Sequence, residues 1–170
     1  MEEGKYRYSL FIELDETLVH YYEEGNNYFV KVRQGTEDFL KFMSDFCEII
    51  IVSTSSKEYT DIIIQNINKD NCYVSYTIYK EMFDDENEVV DFSMINRNLE
   101  KCIFICHEPE FFNAPKENII KLKEFLGEEN DKELVYLQSE LMKLNKDNIN
   151  DISVIIKEIL ESIEKKRDEK

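Results

Sequence analysis

The chain has 170 residues, and its 42% hydrophobic and 12% aromatic content excludes a disordered or low-complexity protein. The 37 acidic side chains against 21 basic ones give a formal net charge of −16. This charge argues against nucleic acid as a ligand, because binding to phosphates depends on Lys and Arg. No stretch approaches the roughly 18 apolar residues of a membrane span, so none is expected.

At this length we expect one domain over residues 1–164, including its C-terminal helices, and a charged, frayed tail over residues 165–170. A domain of this size can bury a full core without disulfides or a structural metal. The four cysteines lie in or beside apolar runs with no secretory signal upstream, which indicates reduced thiols in an intracellular protein.

Strand and helix patterns alternate along the chain. The run at 8–14 predicts a buried strand, a polar break at 23–27 precedes a hairpin strand, and the β-branched run at 49–52 is typical of a central parallel strand. Thr36 is predicted to cap the first helix and Ser55 or Ser56 the second. The remaining predictions are strands at 28–32, 48–53 and 74–79, a segment at 99–106 that ends in a buried strand, a short apolar piece at 119–122, an acidic turn at 84–88, and helices at about 132–144 and 149–164.

This alternation predicts an α/β fold with a mainly parallel, Rossmann-type sheet, flanking helices and a small hairpin insertion. Ligands of such sheets bind at the carboxyl ends of the strands. The candidate site residues therefore follow the apolar runs, at 13–17, 53–55 and 106–107. Glu13 and Asp15 are two residues apart on an extended segment, so their carboxylates could converge on one site.

The segment 11–20, FIELDETLVH, resembles the signature DLDETLVH of the Fcp/Scp-type phosphatases, the NLI-interacting-factor-like branch of the haloacid dehalogenase superfamily. Further similar segments are Arg33-Gln34-Gly35, EIIIVSTSSKEYTD at 48–61, Asp91-Phe92-Ser93 and Asn96-Arg97-Asn98-Leu99. The resemblance extends from about residue 6 to 156. It implies a HAD-like fold and, in active members, phosphate transfer through an aspartyl-phosphate with Mg²⁺ bound beside it.

Some catalytic positions of the resembled family are retained. The resemblance implies that Asp15 is the general acid/base and a metal-binding position, that Thr17 is retained, and that Ser53 supplies the phosphate-binding hydroxyl. The nucleophile position is occupied by Glu13, whose extra methylene moves the carboxylate by roughly 1 Å, enough to cost about 100-fold at a reacting centre.

Other positions have changed in character. The family's lysine position falls on Val90, and its metal-binding aspartate on Cys106, followed by His107. A thiol is a poor substitute for a carboxylate toward Mg²⁺, which prefers hard oxygen ligands. Without cations, charge on a transferred phosphoryl group would meet a carboxylate-rich site. The resemblance therefore predicts a degenerate phosphatase, a pseudophosphatase without a cofactor. The alternative is an active serine/threonine phosphatase of the RNA polymerase C-terminal-domain type, using Mg²⁺.

Two smaller alternatives concern soft ligands. Cys102 and Cys106 would lie some 13 Å apart on one strand at about 3.3 Å per residue, too far to share one Zn²⁺. Cys106, His107 and Cys72 form a conceivable site, although buried structural thiols are favoured. His20 is interpreted as structural.

Within the family, VSYTIYKE at 74–81 and the segments at 96–99, 117–119 and 127–131 resemble the presequence-receptor branch of the mitochondrial inner-membrane translocase. That resemblance implies a subunit that binds cationic presequence-like peptides or import-machinery subunits, on the intermembrane-space side of a mitochondrion or a mitochondrion-derived organelle. The acidic start Met-Glu-Glu-Gly lacks the character of a targeting peptide, so cytosol or nucleus remain open. The negative charge independently favours cationic partners.

Overall fold

The structure of the protein, a computed structural model, describes residues 6–68, 72–83, 90–91, 96–146, 149 and 151–168, without the side chains of residues 90, 91 and 146. The strands are β1 (Tyr8–Glu13), β2 (Val19–Glu24), β3 (Asn27–Val32), β4 (Cys47–Val52), β5 (Tyr76–Ile78), β6 (Val90–Asp91), β7 (Cys102–Cys106), β8 (Phe112–Asn113) and β9 (Ile119–Lys121). The helices are α1 (Thr36–Ser44), α2 (Lys57–Ile67), α3 (Glu133–Lys146) and α4 (Ser153–Asp168).

Five parallel strands form the main sheet in the order β5-β4-β1-β7-β9. Strand β1 pairs with β4 on one side and β7 on the other, and all six of its residues are buried. This explains its continuous apolar run, because a central parallel strand is covered on both faces. The predicted α/β fold with a mainly parallel sheet is confirmed.

The two faces of β1 contribute to different core clusters. Leu10 and Ile12 pack in the large cluster that also contains residues of all four helices. Phe11 packs in a smaller cluster, stacked on Phe104 of β7 with ring centroids 4.9 Å apart. Alternate residues of a strand point to opposite faces, so this single strand contributes to both clusters.

The predicted hairpin insertion is formed by the antiparallel strands β2 and β3. The polar break expected at 23–27 is wrong in extent, because Glu23 and Glu24 belong to β2 and Asn27 to β3. Only residues 25 and 26 form the turn, and Gly25 has a φ of 64°.

Thr36 is not the N-cap of α1 as predicted. The cap is Gly35, whose φ of 87° lies in the left-handed region that favours glycine. Thr36 is the first helical residue and its hydroxyl donates a hydrogen bond to the Arg33 carbonyl at 2.8 Å. The second helix begins as predicted, because the Ser56 hydroxyl accepts from the Tyr59 amide.

The strand expected at 74–79 is narrower than predicted and comprises only Tyr76–Ile78. The segment 99–106 ends in a buried strand as predicted, because β7 begins at Cys102 after a 3-10 turn at Leu99–Lys101. The predicted acidic turn at 84–88 and the segment 92–95 lie outside the described residues. None of the helices in the described ranges is long and apolar enough to cross a membrane.

The frayed tail predicted from residue 165 is wrong, because α4 continues to Asp168. Lys166 donates to the buried Glu140 carboxylate at 2.7 Å, and Arg167 donates to the buried Glu133 carboxylate at 2.9 Å. Burial alone raises the pKa of Glu140, but bonds from Lys143, Lys166 and Ser162 together lower it to about 2. These ion pairs connect the end of α4 to α3 and keep the last turn helical.

Arg33, the residue directly after β3, connects the loop after β1 to the segment before α3. Its guanidinium, in a residue only 1% exposed, binds both carboxylate oxygens of Asp131 at 2.8 and 2.9 Å. It also donates to the Thr17 carbonyl at 2.9 Å and to the Lys123 carbonyl at 2.7 Å. The planar fork of arginine suits this bidentate pairing.

Replacing Arg33 is expected to destabilise the fold strongly. Arg33→Met should lower the free energy of unfolding by about 3–5 kcal/mol, because the buried Asp131 carboxylate loses its partner. Urea denaturation measures this change. Lys57→Met, which removes the exposed Lys57–Asp61 pair, is the matched control and should leave the unfolding midpoint unchanged within error. Equal effects of the two substitutions would contradict this role for Arg33.

Candidate functional site

The site residues predicted at 13–17, 53 and 107 lie at the carboxyl edge of the main sheet. Glu13 is the last residue of β1, Ser53 directly follows β4, and His107 directly follows β7. Since β1 pairs with both other strands in parallel, the three strand ends are neighbours. The loop after Glu13 adds Asp15 and Thr17 to the same edge.

Glu13 is held by partners from two elements. Its Oε2 accepts hydrogen bonds from the Thr17 hydroxyl at 3.0 Å and the His107 amide at 2.9 Å. The Nδ1 atom of the His107 ring lies 2.8 Å from the same oxygen. Burial raises the pKa of the Glu13 carboxyl, and these contacts with His107 and Thr17 lower it in part. The oxygen is therefore engaged in an internal network.

Asp15 lies at the centre of a second network. Its Oδ2 accepts from the Ser53 hydroxyl at 3.1 Å and the Ser55 hydroxyl at 3.2 Å, and its Oδ1 accepts from the Tyr59 hydroxyl at 3.1 Å. The Ser53 hydroxyl in turn accepts from Thr60 at 3.1 Å. Burial, followed by the charge of Asp15, raises the pKa of Tyr59, so its phenol remains a donor.

The two carboxylates expected to converge on one site have separate surroundings. In the described part of the chain, Glu13 and Asp15 share no hydrogen-bond partner: the first turns toward β7 and the second toward β4 and α2. Alternation along an extended strand predicted a common side, but β1 ends at Glu13 and the chain bends immediately afterwards.

The bend is fixed by backbone contacts around Glu16, which has a φ of 54°. Its amide donates to the Val19 carbonyl at 2.7 Å and its carbonyl accepts from the Phe125 amide at 2.8 Å. Its carboxylate lies 2.7 Å from His20 Nδ1. His20 therefore supports the loop, and Arg33 supports it again through the Thr17 carbonyl.

The two other positions that the resemblance singles out, Cys106 and Val90, hold residues without a charged side-chain group. Cys106 is fully buried in the smaller core cluster, and burial raises the pKa of its thiol above the usual range. The backbone of Val90 pairs with Phe112 in the two-stranded sheet formed by β6 and β8. The Val90 side chain lies outside the described part of the structure.

The donor set does not fit Mg²⁺. One Glu13 oxygen and both Asp15 oxygens are engaged by protein donors. The last residue of β7 and the residue after it carry a protonated thiol and an imidazole rather than hard oxygens. Among the described residues, no group of three or more His, Cys, Asp and Glu side chains is arranged to hold a metal ion. Cys72 is exposed, whereas Cys47, Cys102 and Cys106 are buried.

Sequence reasoning underestimated His107 and did not select Tyr59. His107 follows a strand adjacent to β1, so the predicted strand order could have paired it with Glu13. Tyr59 lies on the first turn of α2, three residues after the N-cap Ser56, and no sequence signal indicated that its hydroxyl reaches Asp15.

Comparison with known proteins identifies the family of this chain. The family model "NLI interacting factor-like phosphatase" matches residues 8–153. A CTD small phosphatase-like protein 2 of Dictyostelium discoideum is 31% identical over 89% of this chain and 29% of its own length. The mitochondrial import inner membrane translocase subunit TIM50 of Yarrowia lipolytica is 29% identical over 88% of this chain and 33% of its own length.

A third relative, the nuclear envelope morphology protein 1 of Schizosaccharomyces pombe, is 27% identical over 81% of this chain and 33% of its own length. The chain thus spans about a third of the length of the curated relatives it matches. The solved structure of Fcp1, an essential RNA polymerase II CTD phosphatase, superposes with a TM-score of 0.60 at 16% identity, covering 95% of this chain and 53% of that one. This likeness supports the HAD-like fold. The matched model, the relatives and the fold together place this chain in the NLI interacting factor-like phosphatase family.

Proposed function

We propose that this domain is a catalytically degenerate member of its family and acts as a binding module for cationic peptides in protein import. The observation that carries the proposal is the network around Glu13. The residue at the nucleophile position has one carboxylate oxygen engaged by Thr17 and by two groups of His107. Phosphoryl transfer needs an accurately placed carboxylate beside a cation, whereas here a longer carboxylate lies beside a hydroxyl, an amide and an imidazole.

The charge around the site supports the same conclusion. Among the described residues, no Lys or Arg side chain bonds to Glu13 or Asp15; the donors are hydroxyls, an amide and an imidazole. Phosphoryl transfer needs positive charge where negative charge develops on the equatorial oxygens. A chain of formal charge −16 has a long-range field that repels phosphate esters and attracts basic peptides.

The names of several relatives support a role in protein import. Several are TIM50 subunits of the mitochondrial inner-membrane translocase, from species including Yarrowia lipolytica and Candida albicans. By analogy we propose presequence-like peptides or import-machinery subunits as partners, in a mitochondrion or a mitochondrion-derived organelle. No Mg²⁺ is required by this proposal.

The second candidate is an active, Mg²⁺-dependent serine/threonine phosphatase. It is favoured by the retained Asp15 and Thr17 and by the similarity to a CTD small phosphatase-like protein. A nuclear or cytosolic location would accompany that function. Locating the tagged protein in its own cells separates the two candidates, because membrane fractions of an organelle support the first and nuclei support the second.

Purified protein is expected not to hydrolyse para-nitrophenyl phosphate in the presence of Mg²⁺. The reason is the combined change at the family's nucleophile, lysine and metal-carboxylate positions, which are occupied here by Glu13, Val90 and Cys106. Release of nitrophenolate is followed by absorbance. Turnover well above the blank that disappears in Asp15→Asn would establish an active enzyme and contradict the proposal.

Glu13→Asp alone is expected to restore no activity. The shorter side chain withdraws the acceptor from His107 and Thr17, leaving buried donors unsatisfied and lowering the unfolding free energy by about 1–3 kcal/mol. The family pattern is returned only by the combined set Glu13→Asp, Val90→Lys, Cys106→Asp and His107→Asn. We expect Mg²⁺-dependent turnover to be confined to that set. Activity in the single variant would show that the metal site is intact.

A cationic amphipathic helical peptide is expected to bind with an affinity that falls as salt rises. Exposed charges are screened over about 8 Å at physiological ionic strength, whereas an apolar contribution persists. Titrating a labelled presequence peptide by fluorescence anisotropy at two salt concentrations separates these contributions. A scrambled peptide of equal charge without an amphipathic face is the control. If it binds equally well, the protein acts only as a nonspecific polyanion and the proposal is contradicted.

A further inference from the structure

Three tyrosines form a continuous series from the sheet edge to the hairpin. Tyr59 of α2 donates to Asp15 at the carboxyl edge. Tyr21 of β2 contacts Tyr59 edge-to-face, with ring centroids 6.3 Å apart. Tyr28 of β3 stacks on Tyr21 with centroids 5.9 Å apart and planes inclined by 20°. We call Tyr59, Tyr21 and Tyr28 the tyrosine ladder.

The outer part of the tyrosine ladder is open to solvent. Tyr28 is 71% exposed and Tyr21 is 37% exposed. Their contact is a cross-strand aromatic pair of the hairpin that leaves most of the Tyr28 side chain in solvent. Exposed aromatic side chains gathered on one face commonly mark an interaction surface.

Carboxylates accompany the tyrosine ladder along its length. The Tyr21 hydroxyl donates to the Glu23 carboxylate at 2.9 Å. At the other end, the negative charges of Asp15 and Glu16 both act on Tyr59 and contribute to its raised pKa, after the larger effect of burial. The ring faces are themselves electron-rich, so rings and carboxylates attract a cation together.

The opposite face of the same hairpin shows how such a surface is used. There Tyr22 stacks on Phe29 with centroids 5.3 Å apart, and the Lys31 ammonium lies 5.6 Å from the Tyr22 ring centroid. Within the described ranges, the structure records no lysine or arginine over Tyr21 or Tyr28. One aromatic pair therefore has an internal cation, and the other has its exposed rings and the neighbouring Glu23 carboxylate available to an external one.

We propose that the tyrosine ladder binds arginine and lysine side chains of a basic peptide, with a guanidinium or ammonium group over the Tyr28 and Tyr21 rings and near the Glu23 carboxylate. The inference rests on the proposed function, since it names the surface that recognises the cationic ligand. It assigns recognition to the hairpin and the adjoining edge of the sheet, and it leaves the Glu13–His107 network out of the contact.

The test compares ring removal with ring retention. A labelled basic amphipathic peptide containing arginine is titrated by anisotropy against the whole chain and its variants at low salt. Tyr28→Leu should weaken binding about three-fold, and the double variant Tyr21→Leu/Tyr28→Leu about ten-fold. Tyr28→Phe keeps the ring face and should bind within about two-fold of the unaltered protein. Tyr76→Leu, at a 50% exposed tyrosine of β5, is the matched control and should bind unchanged.

The outcomes distinguish this inference from the proposed function. If the unaltered protein binds the peptide and both leucine variants bind it equally well, the tyrosine ladder is not the binding surface, although the proposed function stands. If the unaltered protein binds no basic peptide, both proposals are overturned. Thermal melting checks each variant, and the high exposure of Tyr28 makes its replacement compatible with folding.

Discussion

The structure of the site depends on one buried carboxylate, Glu13, that cannot remain without partners. Burial makes the charged form costly, so the group needs donors from the protein or a cation from outside. Here the donors come from the chain itself: Thr17 on the following loop and His107 after the neighbouring strand. The network joins the ends of β1 and β7, so the Glu13 carboxylate has partners from the protein and needs no external cation.

A second buried contact determines where that network can form. The Arg33 guanidinium holds the Thr17 carbonyl while it pairs with Asp131, so the loop after β1 is fixed from behind. Glu16, in the left-handed region, completes the bend and turns Asp15 toward Ser53 and Tyr59. The directions of the Glu13 and Asp15 carboxylates therefore depend on Arg33. This residue directly follows β3 and contacts neither carboxylate.

Much of this arrangement could be predicted from the sequence, and the reason is the parallel sheet. Buried parallel strands have unmistakable apolar runs, and their ends lie at one edge, which located Glu13, Ser53 and His107 without any alignment. Individual side-chain contacts were harder to predict from the sequence. The pairing of Glu13 with His107 depends on the register of β1 against β7, in which Ile12 is opposite Ile105. From its local composition, the charged tail is predicted to be frayed. That prediction is wrong because Arg167 and Lys166 are held by the buried Glu133 and Glu140, which belong to another helix.

Under the proposed function, the residues that the resemblance assigns to the family's catalytic positions are physically consistent with one another. A carboxylate at position 106 would lie close to Glu13, whose charge already acts on the Cys106 thiol, and such a pair would need a cation to hold it. A neutral thiol removes that need, and the longer side chain of Glu13 reaches the His107 amide and ring in place of a metal. Under the proposed function, this edge carries out no phosphoryl transfer. The exposed rings and carboxylates of the hairpin lie outside this network, so the surface that recognises a ligand can change without disturbing the buried one.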